Sequence, residues 1–271
     1  MARPAPIRTR GAVVANRAEG GDNRRLVLRV EGWPGAGPGQ FVMLSPGAES
    51  AVSRSDPLLP RPMAVYRTLP ENGASNLEIL YKVTGRGTRL LAEALPGQQV
   101  GVVGPLGHAF PAPEAGERAL LVAGGTGIAS LYFLADRIRR DGPVAVLLGA
   151  RTSEELMGAD DFEALGVDLR IATEDGSRGV RGLVTALLEQ ALAEGGDARV
   201  YACGPTPMMR ACAALAGAAG RPCVVSLENH MACGFGVCLG CAAPLARGGY
   251  ALVCRDGPMF DAAAVDWEGL P

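Results

Sequence analysis

Cys233, Cys238, Cys241 and Cys254 follow the spacing C-x4-C-x2-C-x12-C, so any fold of this chain must bring a distant fourth thiol back to the first three. Those three fall within nine residues and alternate with Gly234, Gly236 and Gly240, which let a backbone curl tightly. A compact run of thiolates with a returning fourth ligand suits a 2Fe-2S cluster. Structural zinc also takes four cysteines, but usually as two C-x2-C knuckles, and only Cys238 and Cys241 have that spacing. Disulfides are the weakest reading. The chain has seven cysteines, an odd number, and no secretory leader is read at its start, so a cytoplasmic, reducing setting is expected. Cys212 and Cys223 then read as small buried hydrophobes.

At 271 residues and 48% hydrophobic content, the chain is long enough for two domains and a small appendage. It has no apolar run long enough to cross a bilayer. A net charge of −2, with acids and bases spread along the chain, leaves no electrostatic footprint for nucleic acid or an anionic membrane. Proteins and small molecules are the expected partners.

Short β-like runs fill the first hundred residues, at Arg25 to Val30, Gln40 to Leu44 and Leu77 to Val83, separated by Gly/Pro turns. Closely spaced strands of this kind predict an antiparallel barrel or sandwich. From Arg118 the texture changes. Ala119 to Ala123 reads as a buried strand, a glycine turn follows, and Leu131, Leu134 and Ile138 then recur at helical spacing. Further strands are predicted at Val144 to Leu148, Leu169 to Ala172 and Arg199 to Ala202, with helices from Leu183 to Ala193 and from Pro207 to a stop near Gly220. The expected fold class is therefore β + α/β. It comprises an N-terminal antiparallel β-barrel over 1–112, an open parallel α/β domain over 113–224, and a small C-terminal cysteine module over 225–271.

Gly124-Gly125-Thr126-Gly127 lies between the first parallel strand and its helix, where bare backbone N–H groups and a positive helix end can meet a pyrophosphate. Tight packing alone would also favour glycine there. A second turn, Cys203-Gly204-Pro205, again follows a strand and opens a helix, so the two turns are expected to border one crevice. Gly204 would admit a nicotinamide or ribose, and Cys203 is either a side chain facing that crevice or an inert buried thiol. In the β-domain, Arg61 could grip a phosphate bidentately, with Gly87 and Thr88 donating beside it. A strand-edge break and an ordinary helix cap are the plainer readings of the same residues.

Five motifs occur in order: Arg61-Pro62, Tyr81-Lys82-Val83 with Gly85-x-Gly87-Thr88, Gly104-Pro105-Leu106-Gly107, Ala123 to Gly127, and Cys203-Gly204-Pro205. Together they resemble the ferredoxin-NADP reductase superfamily, which pairs an FAD-binding β-barrel with an NAD(P)-binding α/β domain. The cysteine run, with Cys254-Arg255-Asp256-Gly257-Pro258, narrows the resemblance to electron-transfer subunits of class 1B dihydroorotate dehydrogenase, and covers nearly the whole chain.

This resemblance implies FAD contacts at Arg61, Pro62, Met63, Ala64, Leu80, Tyr81, Lys82, Gly87 and Thr88. NAD is expected at Gly124, Gly125, Thr126, Gly127, Cys203, Gly204 and Pro205, and a 2Fe-2S cluster on Cys233, Cys238, Cys241 and Cys254. It also implies an FMN-containing dihydroorotate dehydrogenase catalytic subunit as partner, in a heterotetramer of two of each, serving pyrimidine biosynthesis. Electrons would pass from that FMN through the cluster and FAD to NAD+.

The sequence departs from the family at Ala64, where a hydroxyl residue is usual, at His108 in place of Asn, and at Ser130 in place of Pro. His108 is expected to be a loop residue, and His230 a neighbour of the cluster rather than a ligand. Arg151 follows the second parallel strand, where a 2′-phosphate would be read, yet it suits a surface equally, so the choice between NAD and NADP stays open. Two other assignments remain: the FAD/2Fe-2S subunit of an NADH-dependent ferredoxin:NADP oxidoreductase or hydrogenase, and a non-redox nucleotide-binding module with structural zinc. An anaerobic visible spectrum with metal, sulfide and flavin assays separates them from the redox reading. Flavin with two irons and two sulfides per chain, bleached by NADH, is the expected result; a colourless zinc protein would exclude electron transfer.

Overall fold

A computed structural model describes residues 4–46 and 58–270. Seven strands form the first sheet: β1 (Ile7–Gly20), β2 (Asn23–Glu31), β3 (Phe41–Ser45), β4 (Arg61–Ala64), β5 (Arg67–Glu71), β6 (Ala74–Lys82) and β7 (Gln99–Leu106). They pair antiparallel in the order β4-β3-β7-β1-β2-β6-β5. The sheet curls until its edges meet, and the backbone N–H of Tyr66, just past β4, donates to Glu78 O of β6 (2.9 Å). Alternate residues, including Leu26, Leu28 and Val30 of β2 and Leu77, Ile79 and Tyr81 of β6, fill the enclosed core. A short helix, α1 (Arg86–Ala92), leads from β6 towards β7.

The second half alternates strand and helix: β8 (Arg118–Gly124), α2 (Ile128–Ile138), β9 (Val144–Ala150), α3 (Ala159–Leu165), β10 (Asp168–Thr173), β11 (Val180–Arg181), α4 (Val184–Ala193), β12 (Ala198–Cys203), α5 (Thr206–Ala218) and β13 (Cys223–Ser226). The sheet order is β11-β10-β9-β8-β12-β13, all parallel. Helices cover both faces, which is why β8 reads as an unbroken apolar run rather than an alternating one. Leu120 and Val122 pack with Leu187, Leu188 and Met209 on one side, while Leu121 and Ala123 pack with Leu131 and Leu134 on the other. The α5 helix ends as expected before Gly220, whose φ of +66° suits glycine.

The chain then forms a hairpin, β14 (Ala242–Pro244) with β15 (Tyr250–Leu252), a single helical turn, α6 (Val253–Asp256), and β16 (Met259–Asp261). β16 adds antiparallel to β13, so the cysteine module is built onto the α/β sheet and not hung from a linker. The module also touches the barrel: a Cβ on Gly234 would lie 2.5 Å from Met43 of β3. Gly257 O accepts the backbone N–H of His108 (2.7 Å). Sequence periodicity did not indicate β1, β4, β5 or β7, whose faces are mixed because only part of each strand is covered.

Between the two large sheets, Arg25 lies 3% exposed among Glu19, Glu78 (2.9 Å) and Asp161 (2.5 Å). Asp161 opens α3 and also accepts from Tyr66 Oη (2.8 Å). Tyr66 in turn stacks on Tyr132 of α2, with ring centroids 4.4 Å apart. Burial works against the Asp161 carboxylate, but Arg25, Tyr66 and Arg67 hold its pKa below the usual aspartate range. A depressed folded-state pKa contributes stability that is whole above about pH 4 and lost as pH falls below it. Arg25→Met is therefore expected to lower unfolding stability by about 3 kcal/mol at neutral pH, by stranding buried carboxylates. In denaturant titrations the gap from the parent should narrow below about pH 4.

Candidate cofactor sites

A cleft of about 380 Å³ opens between the barrel and the α/β sheet. Arg61, Pro62, Met63, Ala64, Leu80, Tyr81, Lys82 and Thr88 all line it, so residues far apart in sequence meet on one wall. β4 and the end of β6 supply them because the curled sheet brings these strands together. Gly87 sits just behind: a Cβ there would lie 2.4 Å from Arg61 Nε, so the guanidinium rests directly on the glycine backbone. Arg61 Nη1 donates to Leu59 O (2.6 Å). The Thr88 hydroxyl is committed locally, accepting from the Thr84 and Gly85 backbone N–H groups (2.9 and 3.0 Å), which makes it the loop's own cap. Ala64 meets the cleft without a hydroxyl, yet Thr84, Thr126, Ser130 and Ser226 line the same space. Ser130 is the position where the resemblance leads one to expect proline.

The second cleft, about 480 Å³, lies across the C-terminal ends of the parallel strands. Gly124, Gly125 and Pro205 line it, together with Gly149, Glu174 and Leu183, which the sequence reading did not single out. Thr126 turns instead to the first cleft. Gly127 and Gly204 serve a close contact between the two turns: a Cβ on Gly127 would lie 2.1 Å from Cys203 O and 2.7 Å from Gly204 N. Cys203 itself is wholly buried, and its sulfur is hydrogen-bonded by Ser130 and Ser226. Burial and the nearby charge of Glu228 push its thiol up to about 12, so it stays protonated. Arg151 lines the second cleft with Nε on Glu155 Oε2 (3.0 Å), and Lys82 Nζ lies 3.2 Å from Glu155 Oε1. Arg151 thereby holds Glu155 below the usual carboxylate range, against burial and with help from Lys82. Lys82 lines both clefts, marking where they adjoin.

The hairpin solves the problem of the distant cysteine. Pairing Ala242 with Leu252 sets Cys254 beside Cys241, with their Sγ atoms 3.2 Å apart and Cys254 N–H pointing at Cys241 Sγ (3.4 Å). Gly248 and Gly249, at φ +84° and +82°, make the reversal. Cys233 and Cys238 form the other pair. Although burial opposes it, donation from Cys238 and from the Phe235 and Val237 backbone lowers the Cys233 thiol to about 6. Burial and the neighbouring Cys241 push Cys254 up to about 12. The buried Cys241–Cys254 pair can ionise together only around a positive centre, and with the more exposed Cys233 and Cys238 it supplies the four thiolates a 2Fe-2S cluster would take. His230 is exposed, and its backbone N–H bonds the Asn229 side chain.

Residues 228–266 match the family described as the iron-sulfur cluster binding domain of dihydroorotate dehydrogenase B, and residues 121–214 match the oxidoreductase NAD-binding domain. The dihydroorotate dehydrogenase B (NAD(+)) electron transfer subunit of Bacillus caldolyticus is 41% identical over 233 residues, covering 84% of this chain and 86% of the relative. That of Geobacillus thermodenitrificans is 43% identical over 234 residues, with the same coverage. The chain belongs to the family of dihydroorotate dehydrogenase B electron transfer subunits. A solved NADH-dependent reduced ferredoxin-NADP oxidoreductase superposes with a TM-score of 0.83 at 31% identity, over 95% of this chain and 90% of its own. A ferredoxin reductase of carbazole 1,9a-dioxygenase shares the fold at 24% identity, with a TM-score of 0.65. Membership in this family brings FAD, NAD and 2Fe-2S chemistry to the chain.

Gly127→Ala is expected to force the two glycine turns apart, costing about 1–3 kcal/mol of stability in thermal unfolding and weakening NADH-driven bleaching. Gly124→Ala meets mainly the flexible end of Met208 and should be milder in both measurements.

Proposed function

We propose that this chain takes electrons from the FMN of a dihydroorotate-oxidising catalytic subunit and delivers them to NAD+, in a heterotetramer of two subunits of each kind. The supporting observation is that the three sites stand in series. Asn229 and Met231 line the first cleft immediately before Cys233, and Lys82 joins that cleft to the second. Cys238 is exposed, so a partner can reach the cysteine loop from solvent.

When bound, FAD exchanges the electron pair of hydride chemistry for the single-electron steps of the iron-sulfur cluster. The residues would divide the remaining work. Arg61 and the Gly87 backbone would hold the FAD phosphates, Leu80 to Lys82 the wall beside them, and the Gly124 and Pro205 turns the NAD pyrophosphate. The four thiolates would hold the cluster. This chain is fully occupied by those three sites, so dihydroorotate would be oxidised on the partner. The likeness to the ferredoxin-NADP oxidoreductase favours a second reading in which the external donor is ferredoxin. In the bifurcating relatives one cluster ligand is an aspartate, whereas four cysteines stand here.

No helix among the described residues is long and apolar enough to cross a membrane. A cytoplasmic location is proposed with the rest of this reading.

Mixing the chain with its catalytic partner should yield NADH from dihydroorotate and NAD+, whereas the chain alone should yield none. Dihydroorotate oxidation by the chain alone would refute the division of labour. Cys238→Ser, at the exposed ligand, should remove the cluster absorbance and stop NADH formation from dihydroorotate while leaving FAD bound.

A further inference from the structure

Each hydride placed on NAD+ contains two electrons and one proton, and an iron-sulfur cluster delivers only the electrons. One proton per turnover must therefore reach the first cleft, and a side chain lining it can relay that proton from solvent. Glu228 is the only carboxyl lining that cleft among the described residues. It lies two residues past the end of β13, on the wall that also carries Ser226 and Asn229. It makes no hydrogen bond or ion pair with any described residue, and the residue is exposed where the cleft meets solvent although the cleft walls crowd its carboxyl.

The other ionisable groups facing this space are poor donors. Arg61 does not deprotonate, and Lys82 is paired with Glu155. Burial pushes the Tyr81 phenol up to about 12, and the Cys203 thiol behind the wall is equally high. Desolvation by the surrounding cleft walls raises the Glu228 pKa above the usual glutamate value, which favours the protonated acid.

We propose that Glu228 donates the proton that accompanies each pair of electrons passed to NAD+, and is reprotonated from solvent through the open cleft. The balance is two electrons from the cluster, one proton from the Glu228 carboxyl and one NAD+, giving NADH and the Glu228 carboxylate. Water then restores the acid. This role rests on the electron-transfer reading above.

The test uses the complex with its catalytic partner, comparing the parent with Glu228→Gln and Glu228→Asp at equal FAD and iron content. Glu228→Gln should slow NADH formation from dihydroorotate by about 100-fold, the low end for loss of a general acid. Glu228→Asp, which keeps a carboxyl, should recover most of that rate. Redox-difference infrared spectra of the parent should show the carbonyl band of a protonated carboxyl, shifted in D2O, displaced in Glu228→Asp and absent in Glu228→Gln. A Glu228→Gln rate within about twofold of the parent, or a band that survives the substitution, would overturn the proposal. Parent flavin that NADH fails to bleach would overturn the electron-transfer reading and the proton role with it. Parent flavin that bleaches, alongside an unaltered Glu228→Gln, would overturn the proton role alone.

Discussion

Arg25 is the joint on which the arrangement of sites depends. It is planted in β2 of the barrel, satisfies Glu19 and Glu78 there, and reaches Asp161 at the start of α3 in the α/β domain. A guanidinium enclosed by three carboxylates tolerates little sliding, because lengthening any one contact strands a charge away from water. The Tyr66–Tyr132 stack beside it fixes the rotation that ion pairs alone would leave loose. Two domains that could otherwise rock about a crevice are therefore held at one separation. The first cleft is the space that this separation leaves.

Close glycine contacts continue the same logic inside the sites. Gly127 lets the first nucleotide turn touch the second, and Gly87 lets Arg61 lie flat against the loop beside the cleft. In the cysteine module, Gly234 and Gly257 bring the loop against Met43 and Phe260. The module thus leans on both domains. Its first residues border the first cleft, and Cys238 is exposed to solvent. Such an arrangement suits a relay, in which each site must be near the next yet shielded from the others.

The placement of charge explains the division of roles among ionisable groups. Glu155 holds both Arg151 and Lys82 at the mouth of the second cleft, so neither cation there is bare. Cys203, which the sequence left open as either a site residue or a buried thiol, lies under two serines with its proton retained. Glu228 is left as the unpartnered acid in the first cleft, a position no motif indicated, because a single glutamate after a strand has no spacing to announce it.

The cysteine spacing, the glycine turns after β8 and β12, and the uninterrupted apolar strands identified the cofactor chemistry and the parallel half of the fold. These are local signals: ligand spacing and two-sided burial are written in consecutive residues. Most strands of the curled barrel were not legible, since their burial depends on which partners cover them. Only the tertiary structure decided that Thr126 faces the first cleft while Gly124 faces the second, and that Thr88 caps its own loop. It alone paired the thiols two by two and placed Glu228 in the same cleft as Arg61. The cleft placements depend on a domain-to-domain distance set by Arg25 and Asp161, residues 136 positions apart in the chain, and the Cys241–Cys254 pairing on a hairpin register; no periodicity or motif encodes a separation of either kind.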